Sequence, residues 1–90
     1  MLNVTLDFRH IRNTADFYRQ FAARCQLSTT FGANLDALWD SVTGEMALPA
    51  RIRLRHLSQH ADSAQFAAII ATLQQAEEAL AGELQLTIEP

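Results

Sequence analysis

The sequence predicts an α/β fold of two layers: a three-stranded parallel sheet in the order 1-2-3, with its helices packed on one face. Three observations lead there. Stretches that alternate every second residue and stretches with helical spacing follow one another as strand, helix, helix, strand, helix, strand. Helical crossovers between consecutive strands call for parallel pairing. Each strand alternates apolar and polar residues instead of reading apolar throughout, so one sheet face is dry and the other wet. Right-handed crossovers put every helix on the dry face only if the strand order keeps advancing in one direction.

Residues 2–8 form the first alternating stretch, with Leu2, Val4, Leu6 and Phe8 on one side and Asn3, Thr5 and Asp7 on the other. Residues 10–13 read as a turn. Thr14 begins a helix with Asp16 in its first turn. Phe17, Phe21, Arg24 and Cys25 share one side of it, and Tyr18 and Ala22 widen that side. Cys25 reads as a small buried hydrophobe, since nothing beside it apart from Arg24 would activate a thiolate.

After the second helix, Pro49 ends a connector over residues 46–49. Residues 51–57 alternate again, with Ile52 and Leu54 inward and Arg51, Arg53 and Arg55 outward. His56 falls on the inward parity, and residues 58–62 read as a helical turn. Ser63 is expected to cap the longest helix, which runs through Phe66, Ile69, Ile70, Leu73, Ala76, Glu77 and Leu80 to a stop at Gly82. Residues 83–89 are the last strand, with Leu84, Leu86 and Ile88 inward. In a 1-2-3 sheet the Arg row is central. Asp7 on one side and Glu83, Gln85 and Glu89 on the other would then cement it by cross-strand pairing.

Composition narrows the function. Ninety residues with 49% apolar content suit one domain over residues 1–90 with a single core. The formal net charge is −3, and all seven cations are Arg. A pI near 5.4 argues against nucleic-acid binding and permits a basic protein partner. No apolar run is long enough to span a membrane, and the N-terminal residues lack the pattern of a secretory signal. With a single cysteine, a reducing compartment fits, and the expected location is the bacterial cytoplasm. No glycine-rich phosphate loop, zinc-type cysteine pair or nucleophile elbow is present, so no catalytic residue, cofactor or metal site is assigned. His56 and His60 are four apart, but the strand-like lead-in and the want of a third ligand argue against zinc.

The most informative stretch is residues 31–44, Phe-Gly-Ala-Asn-Leu-Asp-Ala-Leu-Trp-Asp-Ser-Val-Thr-Gly. Gly32 gives the turn, Asn34 the N-cap, and Gly44 a left-handed C-cap. Leu35, Leu38, Trp39 and Val42 make one apolar stripe. Asp36 and Asp40, one helical turn apart, project together from the other side. From Gln26 to Ala50 there is no Lys, Arg or His, and Asp36, Asp40 and Glu45 give a local charge of −3. Such a face is either an ordinary solvated surface or one built to meet a cationic partner.

This stretch resembles the signature of the barstar family, intracellular inhibitors of secreted ribonucleases of the barnase type. The resemblance rests on Phe31, Gly32, Asn34, Leu35, Asp36, Ala37, Leu38, Trp39, Asp40, Thr43 and Gly44. It implies the same two-layer α/β architecture and a site that imitates phosphates with carboxylates. By this resemblance Asp40 is the central contact and Asp36 shares its face. Gly32, Asn34 and Gly44 shape the loop edges, and Thr43, Glu45 and Gln75 complete the partner-binding surface. Trp39 is expected to face the core. Three departures accompany the match: Thr30 stands where the family has an aromatic residue, Glu45 where it has Trp, and Gln75 where a contacting Glu aligns.

The resemblance implies an inhibitor or immunity protein whose partner is a basic ribonuclease or ribonuclease-like toxin. The alternative is a non-inhibitory interaction module of the same fold, using the Arg51/Arg53/Arg55 face for an acidic partner or for weak self-association.

Overall fold

The computed structural model describes residues 1–27 and 32–90. Its order is β1 (Leu2–Asp7), α1 (Thr14–Arg24), α2 (Leu35–Asp40), β2 (Ala50–Arg55), α3 (Ala67–Ala79) and β3 (Leu84–Ile88). The sheet is parallel throughout, in the order β1-β2-β3. Leu2 lies opposite Ala50 and Asp7 opposite Arg55, while Ala50 also faces Leu84 and Leu54 faces Ile88. The expected fold class is therefore the observed one.

The alternation drives this packing. Val4, Leu6, Ile52, Leu54 and Leu84 are buried on the inner face, against Phe17 and Phe21 of α1 and Ile69, Leu73 and Ala76 of α3. Phe8, Phe17, Phe21 and Phe66 form an aromatic centre, with Phe8 and Phe66 edge-to-face at 4.9 Å and Phe17 and Phe21 stacked at 5.7 Å. Aromatic pairs in these geometries add to what their burial already contributes. Cys25 is buried, and burial pushes its thiol up to about 12, which makes it inert.

Several boundaries depart from expectation. β1 ends at Asp7, whose carboxylate accepts from the Arg9 amide and begins a 3₁₀ turn, Phe8–His10. Phe8 is still buried, because the turn folds it under the sheet. Arg24 is exposed and leaves the buried side of α1 to Phe17, Phe21, Cys25 and Tyr18. His56 is not on the inward row; it takes a left-handed φ of 62° just past β2, where its amide donates to the Glu89 carbonyl at 3.0 Å. Ser63 is not the cap of the longest helix. A 3₁₀ turn, Ser63–Phe66, precedes α3, and neither end of that turn carries a side-chain cap. Gly82 does supply the stop, at φ +96°, after Ala81 has already entered the left-handed region. Ile88 keeps its inward parity but stays 40% exposed.

Asn13, expected only as part of a turn, caps α1: its side chain accepts from the Asp16 amide at 2.9 Å. Asp16 itself is buried and accepts from Arg12 Nε at 3.0 Å and from Arg19 at 2.5 Å. A buried carboxylate needs such partners. Their guanidiniums hold Asp16 well below the usual carboxylate range, Arg12 contributing most.

Candidate functional site

α2 is short, so its ends decide its shape. Asn34 has extended backbone, and its Oδ1 accepts from the Ala37 amide at 2.8 Å. A Cβ on Gly32 would come within 3.2 Å of the Asn34 side-chain nitrogen. Gly32 is thus tightly spaced against the capping side chain, and its backbone is not left-handed. At its other end α2 opens into a π-helical turn, Ser41–Glu45, closed by the Met46 amide donating to the Ser41 carbonyl at 2.7 Å. Gly44 lies inside this turn, and its φ is not left-handed, which corrects the expected C-cap. The wider turn lets the helix end without a left-handed residue.

Leu38 and Val42 are fully buried and Trp39 packs partly against the core. Leu35 does not join them; it is 39% exposed. Successive helical residues are about 100° apart, so Asp36 and Asp40 fall almost opposite Leu38. Both are exposed, and among the described residues neither makes an ion pair or side-chain hydrogen bond. Holding like charges one turn apart costs a few tenths of a kcal/mol. Asp36 recovers some of this from the positive end of the helix, and Asp40 recovers less.

Of the other expected contact residues, Gly44 and Glu45 are exposed on the π-helical turn. Thr43 is half-buried, and its hydroxyl donates to the Trp39 carbonyl at 2.7 Å. Gly32 and Asn34 sit at the N-terminal end of α2, and Gln75 is exposed on α3, the helix that packs against α2. Thr30 lies outside the described residues. The fold therefore gathers Asn34, Asp36, Asp40, Gly44 and Glu45 along one short helix and its two ends. Exposed Leu35 joins this surface; its place in the apolar stripe concealed it.

The opposite side of the molecule is basic. On the outer sheet face Arg51 donates to Gln85 Oε1 at 3.1 Å, and Arg53 donates to Glu89 at 2.8 Å. Arg55 Nε lies 3.3 Å from Glu89 Oε1 without the alignment of a hydrogen bond. Asp7 does not join the row as expected: it forms a 2.7 Å ion pair with Arg9, which keeps its carboxyl well below the usual range. Among the described residues Glu83 makes no ion pair with the row either.

The histidines serve the chain itself. His60 Nδ1 accepts from the Asp62 amide at 2.9 Å, so Nε2 carries the hydrogen that it donates to the Ile11 carbonyl at 2.7 Å. His56 Nδ1 meets the Gln59 side chain at 3.1 Å. Among the described residues no group of three or more His, Cys, Asp or Glu could hold a metal ion, and no helix is long and apolar enough to cross a membrane.

A parallel sheet with its helices on one face, and a short helix whose two exposed carboxylates are unpaired among the described residues, defines a class of small two-layer α/β proteins. Comparison with known proteins gives the family: residues 1–88 match the family model described as Barstar (barnase inhibitor), and the chain belongs to that family. It is 28% identical over 96 residues to a Bacillus subtilis (strain 168) protein named "Putative ribonuclease inhibitor YrdF", covering 99% of this chain and 100% of that one.

Proposed function

We propose that this protein is an inhibitor of a basic ribonuclease or ribonuclease-like toxin and has no enzymatic activity of its own. The Asp36/Asp40 pair carries the reading. These carboxylates are held at a fixed spacing by a capped helix and satisfied by nothing among the described residues. In a nuclease cleft lined with cations they would take the place of substrate phosphates through charge-assisted hydrogen bonds. Membership of the barstar family and the printed name of the Bacillus relative support the same role.

Asp40 is the central contact in this reading and Asp36 its companion. Gly32, Asn34, Thr43, Gly44, Glu45 and Gln75 surround them. With Glu45 in place of the family's Trp, the contact surface trades an aromatic anchor for a charge. The preferred partner is accordingly a nuclease more basic around its cleft than barnase, met in the bacterial cytoplasm by an immunity protein.

The test is inhibition of a panel of basic bacterial ribonucleases, with binding followed by calorimetry. Asp40→Ala is expected to weaken the complex by about 2–5 kcal/mol, since a buried partner cation is left unpaired. Its circular dichroism and melting should match wild type. Undiminished inhibition by folded Asp40→Ala would remove the site assignment.

A further inference from the structure

The outer sheet face and the α2 face carry opposite and unbalanced charge. Arg51, Arg53 and Arg55 have one carboxylate between them, Glu89, while Arg51 rests on the neutral Gln85. Asp7, at the edge of this face, is already neutralised by Arg9. The surplus guanidiniums remain at least partly exposed: Arg51 is exposed, and the Arg53 and Arg55 side chains are 44% and 41% exposed.

The spacings also agree. Alternate residues of a strand stand about 6.6 Å apart along its axis. Residues four apart on a helix stand about 6 Å apart along its axis. A helix presenting Asp36 and Asp40 therefore matches two successive members of the Arg row in both sign and pitch.

From this complementarity we infer that the Arg51/Arg53/Arg55 sheet face docks the Asp36/Asp40 face of a second copy of the chain, giving a weak, salt-sensitive head-to-tail association. The two surfaces cannot be satisfied in one reciprocal contact. Asp36 and Asp40 point away from the core on the side opposite Leu38, whereas the guanidiniums lie on the sheet face away from the helices. Such a heterologous contact adds copies one after another and does not stop at a dimer. Self-docking covers the carboxylates that would meet a nuclease, so a nuclease and a second copy would compete for them.

The test is analytical ultracentrifugation of the isolated chain across a concentration series. It is run near 10 mM and near 150 mM ionic strength, where the screening length falls from about 30 to about 8 Å. At low salt the weight-average mass is expected to climb continuously with concentration, and at the higher salt to return to monomer. Asp36→Asn/Asp40→Asn and Arg51→Ser/Arg53→Ser should each abolish the rise. Arg51→Ser alone serves if the double variant misfolds. Reversed charges give the decisive arm. Asp36→Arg/Asp40→Arg and Arg51→Glu/Arg53→Glu should each stay monomeric alone and associate when mixed.

A monomer under every condition, association that survives either neutralising variant, or no recovery on mixing would overturn the inference. No nuclease is present in this experiment, so its failure leaves the inhibitor reading standing, and an inactive inhibitor leaves this inference standing.

Discussion

At the scale of single residues, the glycines separate what must be glycine from what merely is. Gly82 sits at φ +96° with open space where a Cβ would be. Gly82→Ala should cost about 1–2 kcal/mol from backbone conformation alone, read as a lower urea midpoint at unchanged slope. Gly44 also has no atom within 4 Å of where a methyl would sit, and its φ is not left-handed. Gly44→Ala should therefore stay within about 0.5 kcal/mol of wild type. Both read as helix stops in the sequence, and only Gly82 is one. Nothing in a Gly at the end of an apolar stripe distinguishes a left-handed cap from one residue of a wider turn. Asn34 was legible because a capping side chain declares itself by type and place. The burial of Asp16 was not, since its partners Arg12 and Arg19 lie on either side of it, outside the pattern that marks the core.

At the scale of elements, the period-two strands and the α1 and α3 stripes were readable because burial acts on whole faces. Their ends were not, because ends are settled by individual hydrogen bonds. α3 shows this best. Glu77 looks like the one polar intrusion in an apolar stripe, but its Oε2 accepts from the Leu86 amide of β3 at 2.7 Å. That amide belongs to an edge strand with no neighbour beyond it among the described residues. The carboxylate both satisfies the donor and covers the edge. Glu77→Ala should lose about 1–3 kcal/mol of stability, whereas Glu77→Gln keeps an acceptor and should lose less. Chemical denaturation of the two variants checks the order, and equal losses would remove the hydrogen bond from the account. On the outer face, Asp7 went to Arg9 because a partner two residues away reaches it without spanning strands.

At the scale of the whole molecule, three carboxylates tie the fold to pH. Asp7 is held down by Arg9, Asp16 by Arg12 and Arg19, and Glu89 chiefly by Arg53. In the unfolded chain these groups titrate near the ordinary value of about 4. The unfolded state thus takes up protons first as the pH falls. Their contribution is full at neutral pH and drains away as the pH drops below about 5. Melting temperature should fall between about pH 5 and pH 3, and Asp16→Asn should start lower at pH 7 and fall less. Asp7 and Glu89 are part-exposed, so added salt should blunt their share, while the buried Asp16 keeps most of its own.

Strand order was legible at this scale because alternation means one wet face, and one wet face means helices on one side. The candidate site was legible through Asp36 and Asp40 and their signature. Leu35 was not, because α2 is too short for its first turn to reach under the core.

A loop closed from Ser41 to Met46 holds one residue more than α-helical closure would. Remove a residue there and the chain could resume ordinary winding, turning everything after it by about 100° about the helix axis. Glu45 would then swing to a new bearing beside Asp40, and Met46 would have to find its buried seat again. Insertions and deletions of a single residue in this segment are therefore a steering mechanism. They re-aim the rim of the proposed contact surface without altering the two aspartates placed at its centre.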